Sequence, residues 1–148
     1  MFNMPIIFKN PDLSQAPDLT GFLQGLGLIT SDLPADLSGF TLAYEGEQIV
    51  GSAGMELKGE IGLLRSVAVA ETHRNQQLGQ QLFTAALDHA KTKGVQEVYL
   101  ITNTAEGYFA QNGFRRVERS EVPAEISRTE QFSSLCPSAS TVMKINLK

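Results

Sequence analysis

The chain is predicted to fold as an α+β sandwich, a mixed but mostly antiparallel sheet of about six to seven strands with flanking helices. Three observations carry this expectation. Short Gly-containing turns at E-G-E (45–47) and K-G-E (58–60) join apolar runs over 40–69, which makes an antiparallel meander. A long amphipathic helix comes next, and a buried strand follows it, which makes one parallel βαβ unit with a right-handed crossover. Further short strands after Gly113 complete the sheet.

The 148 residues are the size of one ordinary domain, so 1–148 is expected to be a single unit. With 42% hydrophobic and 19% charged residues, the chain can bury a core, and disorder is not expected. No apolar run is long enough to span a membrane, and the N-terminus M-F-N-M-P-I-I-F-K-N lacks the pattern of a signal peptide. The net charge of -4 comes without a basic stripe, which argues against a nucleic-acid partner. Two histidines and one cysteine show no metal-ligand spacing, so no metal is expected. The lone Cys136 excludes an internal disulfide and fits a reducing cytoplasm. It is read as a buried inert thiol, since no histidine partner is evident.

Element by element, a short strand is expected over 6–9, with Pro11 and Pro17 bracketing the turn after it. Residues 19–28 read as a helix broken by Gly25 and Gly27, and 31–39 as loop or a single helical turn. Strands follow over 40–44, 48–57 and 61–69. The last, I-G-L-L-R-S-V-A-V, is nearly continuously apolar and therefore central. Leu78, Leu82, Phe83, Ala86, Leu87 and Ala90 mark one face of a helix that Gly94 ends. A strand over 95–102, a helix over 104–112 stopped by Gly113, and a strand over 114–118 come next. The segment 122–137 is irregular, and a strand over 140–147 closes the sheet.

A buried strand, a short loop and a helix start make a place for an anion, because the first N–H groups of a helix are unpaired and lie along a favourable dipole. Here the loop is A-E-T-H-R-N-Q-Q-L-G-Q-Q-L (70–82), with Arg74 as a fixed cation and Gly79 where bulk must be absent. The alternative for such a spacing is a solvated helix start.

At this point the sequence resembles the GNAT superfamily of acetyl-CoA-dependent N-acetyltransferases. S-V-A-V (66–69) is similar to the family's central strand, and H-R-N-Q-Q-L-G-Q-Q-L (73–82) to its pyrophosphate loop and helix. V-Y-L-I-T (98–102) is similar to the strand that splays from the first, and Y-F-A-Q-N-G-F (108–114) to its final helix and turn. The resemblance implies acetyl-CoA as co-substrate and a small-molecule amine as acceptor. It implies that Val67, Ala68 and Val69 pair with the pantetheine arm and that Arg74, Asn75, Gln76, Gln77, Leu78, Gly79 and Gln80 hold the diphosphate. Asn103 and Phe109 fall on the coenzyme side of the same pattern, and the Val67 amide is the donor to the developing oxyanion.

The loop departs from the family pattern at Gln77, where a glycine is usual, and the final helix departs at Phe109, where many relatives carry a tyrosine acid. Tyr108 is its neighbour, but adjacent helical residues point about 100° apart, so it does not simply substitute. Members of the superfamily are often homodimers, and the last strand is a place for pairing across an interface.

Arg65 is a charge inside an apolar strand and needs a partner. It reads either as a clamp for an acceptor carboxylate or as a structural ion pair, for example with Glu56. L-L-R-S-V-A-V, I-T-N-T-A-E-G-Y-F, V-P-A-E-I, R-T-E-Q-F and S-L-C-P-S-A are similar to the branch that acetylates arsinothricin- and phosphinothricin-like amino acids, loosely related to N-acetylglutamate synthase-type domains. That implies a glutamate-like acceptor and a role in amino-acid analogue resistance. Arg65, Ser66, Thr102, Thr104 and Arg128 would surround the acceptor, and Glu56 and Glu106 are the candidate bases. For Thr104 the alternative is a helix N-cap. His73 reads as a phosphate neighbour or surface residue, and His89 as surface. Two other readings stand beside this one: the same fold acting on a polyamine, an aminoglycoside or a protein N-terminus, and a non-catalytic acyl-CoA-binding sensor.

Overall fold

A computed structural model describes residues 5–11, 13–28, 30, 37–73, 77–102, 106–129 and 140–147. Its seven strands are β1 (Ile6–Lys9), β2 (Thr41–Glu45), β3 (Gln48–Lys58), β4 (Ile61–Val69), β5 (Glu97–Thr102), β6 (Arg115–Val117) and β7 (Thr141–Asn146). Four helices accompany them: α1 (Ala16–Gly25), α2 (Leu78–Thr92), α3 (Glu106–Gln111) and α4 (Ala124–Ser127). The strands form one mixed sheet in the order β1-β2-β3-β4-β5-β7-β6. Only β4 and β5 run parallel, as the βαβ reading required.

Helices cover both faces. On one, α2 lays Leu78, Leu82, Phe83, Ala86 and Ala90 against Val50, Ala53, Met55, Leu64, Val98 and Leu100. The helical period of those apolar residues is what makes the stripe. Gly51 lets the helix come close, since a Cβ there would stand 2.5 Å from Leu82 Cδ1. On the other face, α1 packs Leu19 and Leu23 over Phe40, Leu42, Tyr44 and Ala68. Further along that face, Ile126 of α4 covers Leu63, Tyr99, Val117 and Val142.

Several expectations are corrected. The first helix begins at Ala16, so Pro17 lies in its first turn and not in a preceding loop. A proline costs nothing there, because that N–H has no partner inside the helix anyway. The strand expected from Val95 begins at Glu97, because Val95 N–H closes the end of α2 on Ala90 C=O. Gly94 at φ 88° makes that closure possible, a conformation an L side chain resists. The segment expected to be irregular holds α4, which Pro123 starts and buried Ile126 anchors.

The last strand does not stand at an edge. Residues of β7 pair with β5 on one side and with β6 on the other. It is thus paired on both sides over Val142, Met143 and Lys144, and the edges of the sheet among the described strands are β1 and β6.

Candidate active site

The parallel pair separates in the middle of the sheet. Ladder partners run from Ile61↔Glu97 to Leu63↔Tyr99 and stop, although β4 continues to Val69 and β5 to Thr102. Beyond Leu63, β4 keeps its partner β3 on one side only. The opened gap is a cleft of about 340 Å³ lined by Leu64, Arg65, Ser66, Val67, Leu100, Ile101, Thr102, Tyr108, Phe109 and Leu28.

A bulge controls what β4 shows to this cleft. Opposite Ser52 lies Ala68, but opposite Gly54 lies Arg65, so Ala53 alone faces both Ser66 and Val67. The extra residue resets the alternation of the strand. Arg65 and Ala68 therefore both point away from α2, whereas Val67 and Val69 pack on its side. Ser66 takes a left-handed φ of 54° to make the bulge. Gly54 of β3, opposite Arg65, leaves room for the Phe40 ring, whose Cε2 a Cβ there would meet at 2.5 Å.

A second groove, about 420 Å³, runs from β4 to the start of α2 and is lined by Val67, Ala68, Val69, His73, Gln77, Leu78, Gly79, Gln80 and Tyr108. The first hydrogen bond of α2 is Gln81 N–H to Gln77 C=O. The N–H groups of Leu78, Gly79 and Gln80 therefore have no partner within the helix, and no side chain of Gln77 caps them. A Cβ on Gly79 would meet only Val69 Cγ2 at 3.7 Å, so the space it would take belongs to the groove. Apolar strand backbone leading to the first amides of a helix fits an extended arm ending in a diphosphate. Gln77 holds φ 62°, the left-handed region that favours glycine. The missing glycine is thus visible as a backbone conformation.

Arg65 donates from Nη1 to Glu56 Oε2 at 2.7 Å and from Nε to Ser66 Oγ at 3.2 Å. Its side chain is only 3% exposed. Glu56 stands behind it and does not line the cleft. Glu106 lies elsewhere, near Arg116 Nε at 4.0 Å and accepting from Thr141 Oγ1 at 3.3 Å. Arg128 caps the exposed end of α4, outside the cleft lining. Arg74, Asn75, Gln76, Asn103, Thr104 and Cys136 lie outside the described residues.

Tyr108 lines both the groove and the cleft, as does Val67. Its hydroxyl donates to Gln80 Oε1 at 3.3 Å, and burial pushes the phenol pKa up. Phe109 lines the cleft with its ring set among Phe83, Phe114 and Tyr108. The neighbour that helical geometry disfavoured is therefore the phenol at the junction. A sharper signal was available in the aromatic pair itself, because one ring packs and the other carries a polar tip. His73 was also placed in the loop, and it bonds through Nε2 to Glu45 Oε2 at 3.0 Å, tying the groove's wall to β2.

Residues 36–116 match the family model described as an acetyltransferase (GNAT) domain, which is more than half of the chain. The chain belongs to the GNAT family. An amino-acid acetyltransferase of Aeromonas salmonicida (strain A449) is 24% identical to this GNAT domain over 98 residues, 65% of this chain and 22% of that protein. An uncharacterized N-acetyltransferase of Chlorobaculum tepidum is 30% identical over 90 residues, 60% of this chain and 57% of that one. The GNAT domain thus spans less than two thirds of either relative. Among solved structures, the N-acetylglutamate synthase of Neisseria gonorrhoeae complexed with coenzyme A and N-acetyl-glutamate superposes with a TM-score of 0.83 at 17% identity. That match covers 99% of this chain and 36% of the synthase, and it shows the GNAT fold. Among the described residues, no helix is long and apolar enough to cross a membrane, and no group of three His, Cys, Asp or Glu could hold a metal.

Proposed function

We propose that this chain moves the acetyl group of acetyl-CoA to the amino group of a small amino acid or amino-acid analogue, of the glutamate, phosphinothricin or arsinothricin type. The observation that carries this reading is the joining of two spaces at one point. The coenzyme-shaped groove and the cleft share Val67 and Tyr108. The amino-acid acetyltransferase among the relatives and the synthase complex with N-acetyl-glutamate support an amino-acid acceptor.

Acetyl-CoA supplies an activated acyl thioester. Val67, Ala68 and Val69 would hold its arm along the open side of β4, and the amides of Leu78, Gly79 and Gln80 at the start of α2 its diphosphate. In the cleft, Val67 N–H donates to the oxyanion that develops at the acyl carbon. Arg65 sets the acceptor's anionic end, with Ser66 and Thr102 offering hydroxyls beside it. The acceptor amine gives its proton to cleft water. Tyr108 keeps its own proton at neutral pH and stands at the junction, where it can give it to the leaving sulfur.

The test is thiol release with glutamate, phosphinothricin, arsinothricin, aspartate, spermidine and a short peptide. Turnover of the amino acids supports the reading. Turnover of spermidine or the peptide alone overturns it. Calorimetric binding of acetyl-CoA without turnover of any of them would assign the chain to the sensors.

A further inference from the structure

Ser52 is a fully buried hydroxyl in the middle of β3, outside the linings of both the cleft and the groove. It faces α1, opposite Leu42 on one side and Ala68 on the other. Its Oγ–H donates to the carbonyl oxygen of Ser66 at 2.6 Å. That carbonyl sits at the bulge, where Ala53 alone opposes Ser66 and Val67. Ser66 is also one of the two described non-glycine residues with positive φ. Its hydroxyl is held as well, by Arg65 Nε at 3.2 Å. A left-handed serine inside a strand is thus anchored at both its backbone and its side chain.

We propose that Ser52 is the positioning residue of the acyl-transfer site: by holding the Ser66 carbonyl it fixes the bulge that aims Val67 into the cleft. The inference rests on the acetyl-transfer reading above for its catalytic consequence and on the strand register for its structural one. Without the extra residue, Val67 would fall on the same face as Arg65, and its N–H would exchange direction with it. The bulge is therefore what allows one short strand to present a cation and an oxyanion donor together. A strand amide is a fixed dipole and cannot rotate on its own, so its aim depends on what pins the neighbouring peptide. Ser52 does so from a strand that contributes no residue to the cleft lining.

Three variants test this: Ser52→Ala removes the donor, Ser52→Thr keeps a hydroxyl, and Ser52→Cys keeps the size with a weak donor. Two readouts are needed. Amide NMR of the ligand-free protein should show the Ser66 and Val67 resonances displaced in Ser52→Ala, with the α2 amides unchanged. Kinetics should show kcat lowered about tenfold or more at an unchanged KM for acetyl-CoA. Ser52→Thr should restore both. Wild-type amide positions in Ser52→Ala overturn the clamp, as does a kcat loss that Ser52→Thr fails to rescue. If Ser52→Ala does not fold, Ser52→Cys carries the same two readings. A wild-type chain that releases no thiol from any acceptor overturns the acetyl-transfer reading, and the Val67 amide then decides the clamp alone.

Discussion

Arg65 and Glu56 reach across adjacent central strands and meet at 2.7 Å, with side chains 3% and 10% exposed. The cation that faces the cleft is charge-compensated before any acceptor arrives. An acceptor carboxylate would join an existing pair and not meet a bare guanidinium. Glu56 in turn is committed as an acceptor of that hydrogen bond, which removes much of the case for it as a base.

Arg65→Ala should therefore do two things. It should cost up to about 3 kcal/mol of stability, because among the described residues the Glu56 carboxylate keeps only Lys58 Nζ, 4.0 Å from its Oε1 on a side chain that is 40% exposed. It should also raise KM for an anionic acceptor far more than KM for acetyl-CoA. Urea denaturation reads the first effect and steady-state kinetics the second. The double variant Arg65→Met with Glu56→Leu should regain most of the stability and none of the acceptor affinity. Equal KM effects on both substrates in Arg65→Ala would remove the clamp from consideration.

Gln77→Gly should leave coenzyme affinity equal or improved. The left-handed φ of 62° strains an L side chain by roughly 1–2 kcal/mol, against about 0.5–1 kcal/mol of extra unfolded-chain entropy for glycine. A thermal melt should thus show an unchanged or slightly higher midpoint. Calorimetry with coenzyme A decides the rest, because a large loss of affinity would make the glutamine amide a phosphate ligand.

Tyr108→Phe should lower kcat about a hundredfold, the low end of a general-acid contribution, with KM for acetyl-CoA little changed. The hydroxyl's 3.3 Å bond to Gln80 is long, so the loss in stability should stay below about 1 kcal/mol. A variant with normal kcat would leave water as the proton donor.

Alkaline pH gives a further check. Burial raises the phenol pKa of both Tyr99 and Tyr108. A group with a raised folded pKa contributes stability that is complete below its unfolded pKa of about 10 and is lost as pH rises through the folded value. Denaturation midpoints should hold steady up to about pH 10 on this account and fall above it, chiefly through Tyr99 at 3% exposure, since solvent screens Tyr108 at 40%. Absorbance at 295 nm should show tyrosinate from these two residues only above pH 10.

The sheet and the start of α2 were legible because both are periodic or punctuated features. The α2 stripe and Gly94 are local signals, and the structure keeps them. Three other features were not legible for a shared reason, namely that each depends on where distant residues land. Ile126 forms a helix because Leu63, Tyr99 and Val142 need a cover. β7 inserts between β5 and β6, a pairing that no hairpin signal announces. Tyr108 faces the site because Phe109 has its ring among Phe83 and Phe114. The Arg65–Glu56 alternative was legible, since a charge in an apolar strand must find its opposite nearby. Arg74 to Gln76 and Asn103 to Thr104 lie outside the described residues.

The seven-stranded sheet is continuous in name but is stitched across its centre by only three residue pairs, Ile61↔Glu97, Gly62↔Val98 and Leu63↔Tyr99. Its backbone ladder is two half-sheets on a short seam, and the side chains of the long helix α2 pack across both. An extended ligand laid along the open side of β4 would lengthen that seam by the hydrogen bonds it brings. Ligand binding would then stiffen the whole domain and not only the pocket wall, and the most distant beneficiaries would be the amides of β5 and β7. The slow-exchanging core of this protein should accordingly grow outward from the seam when the groove is filled.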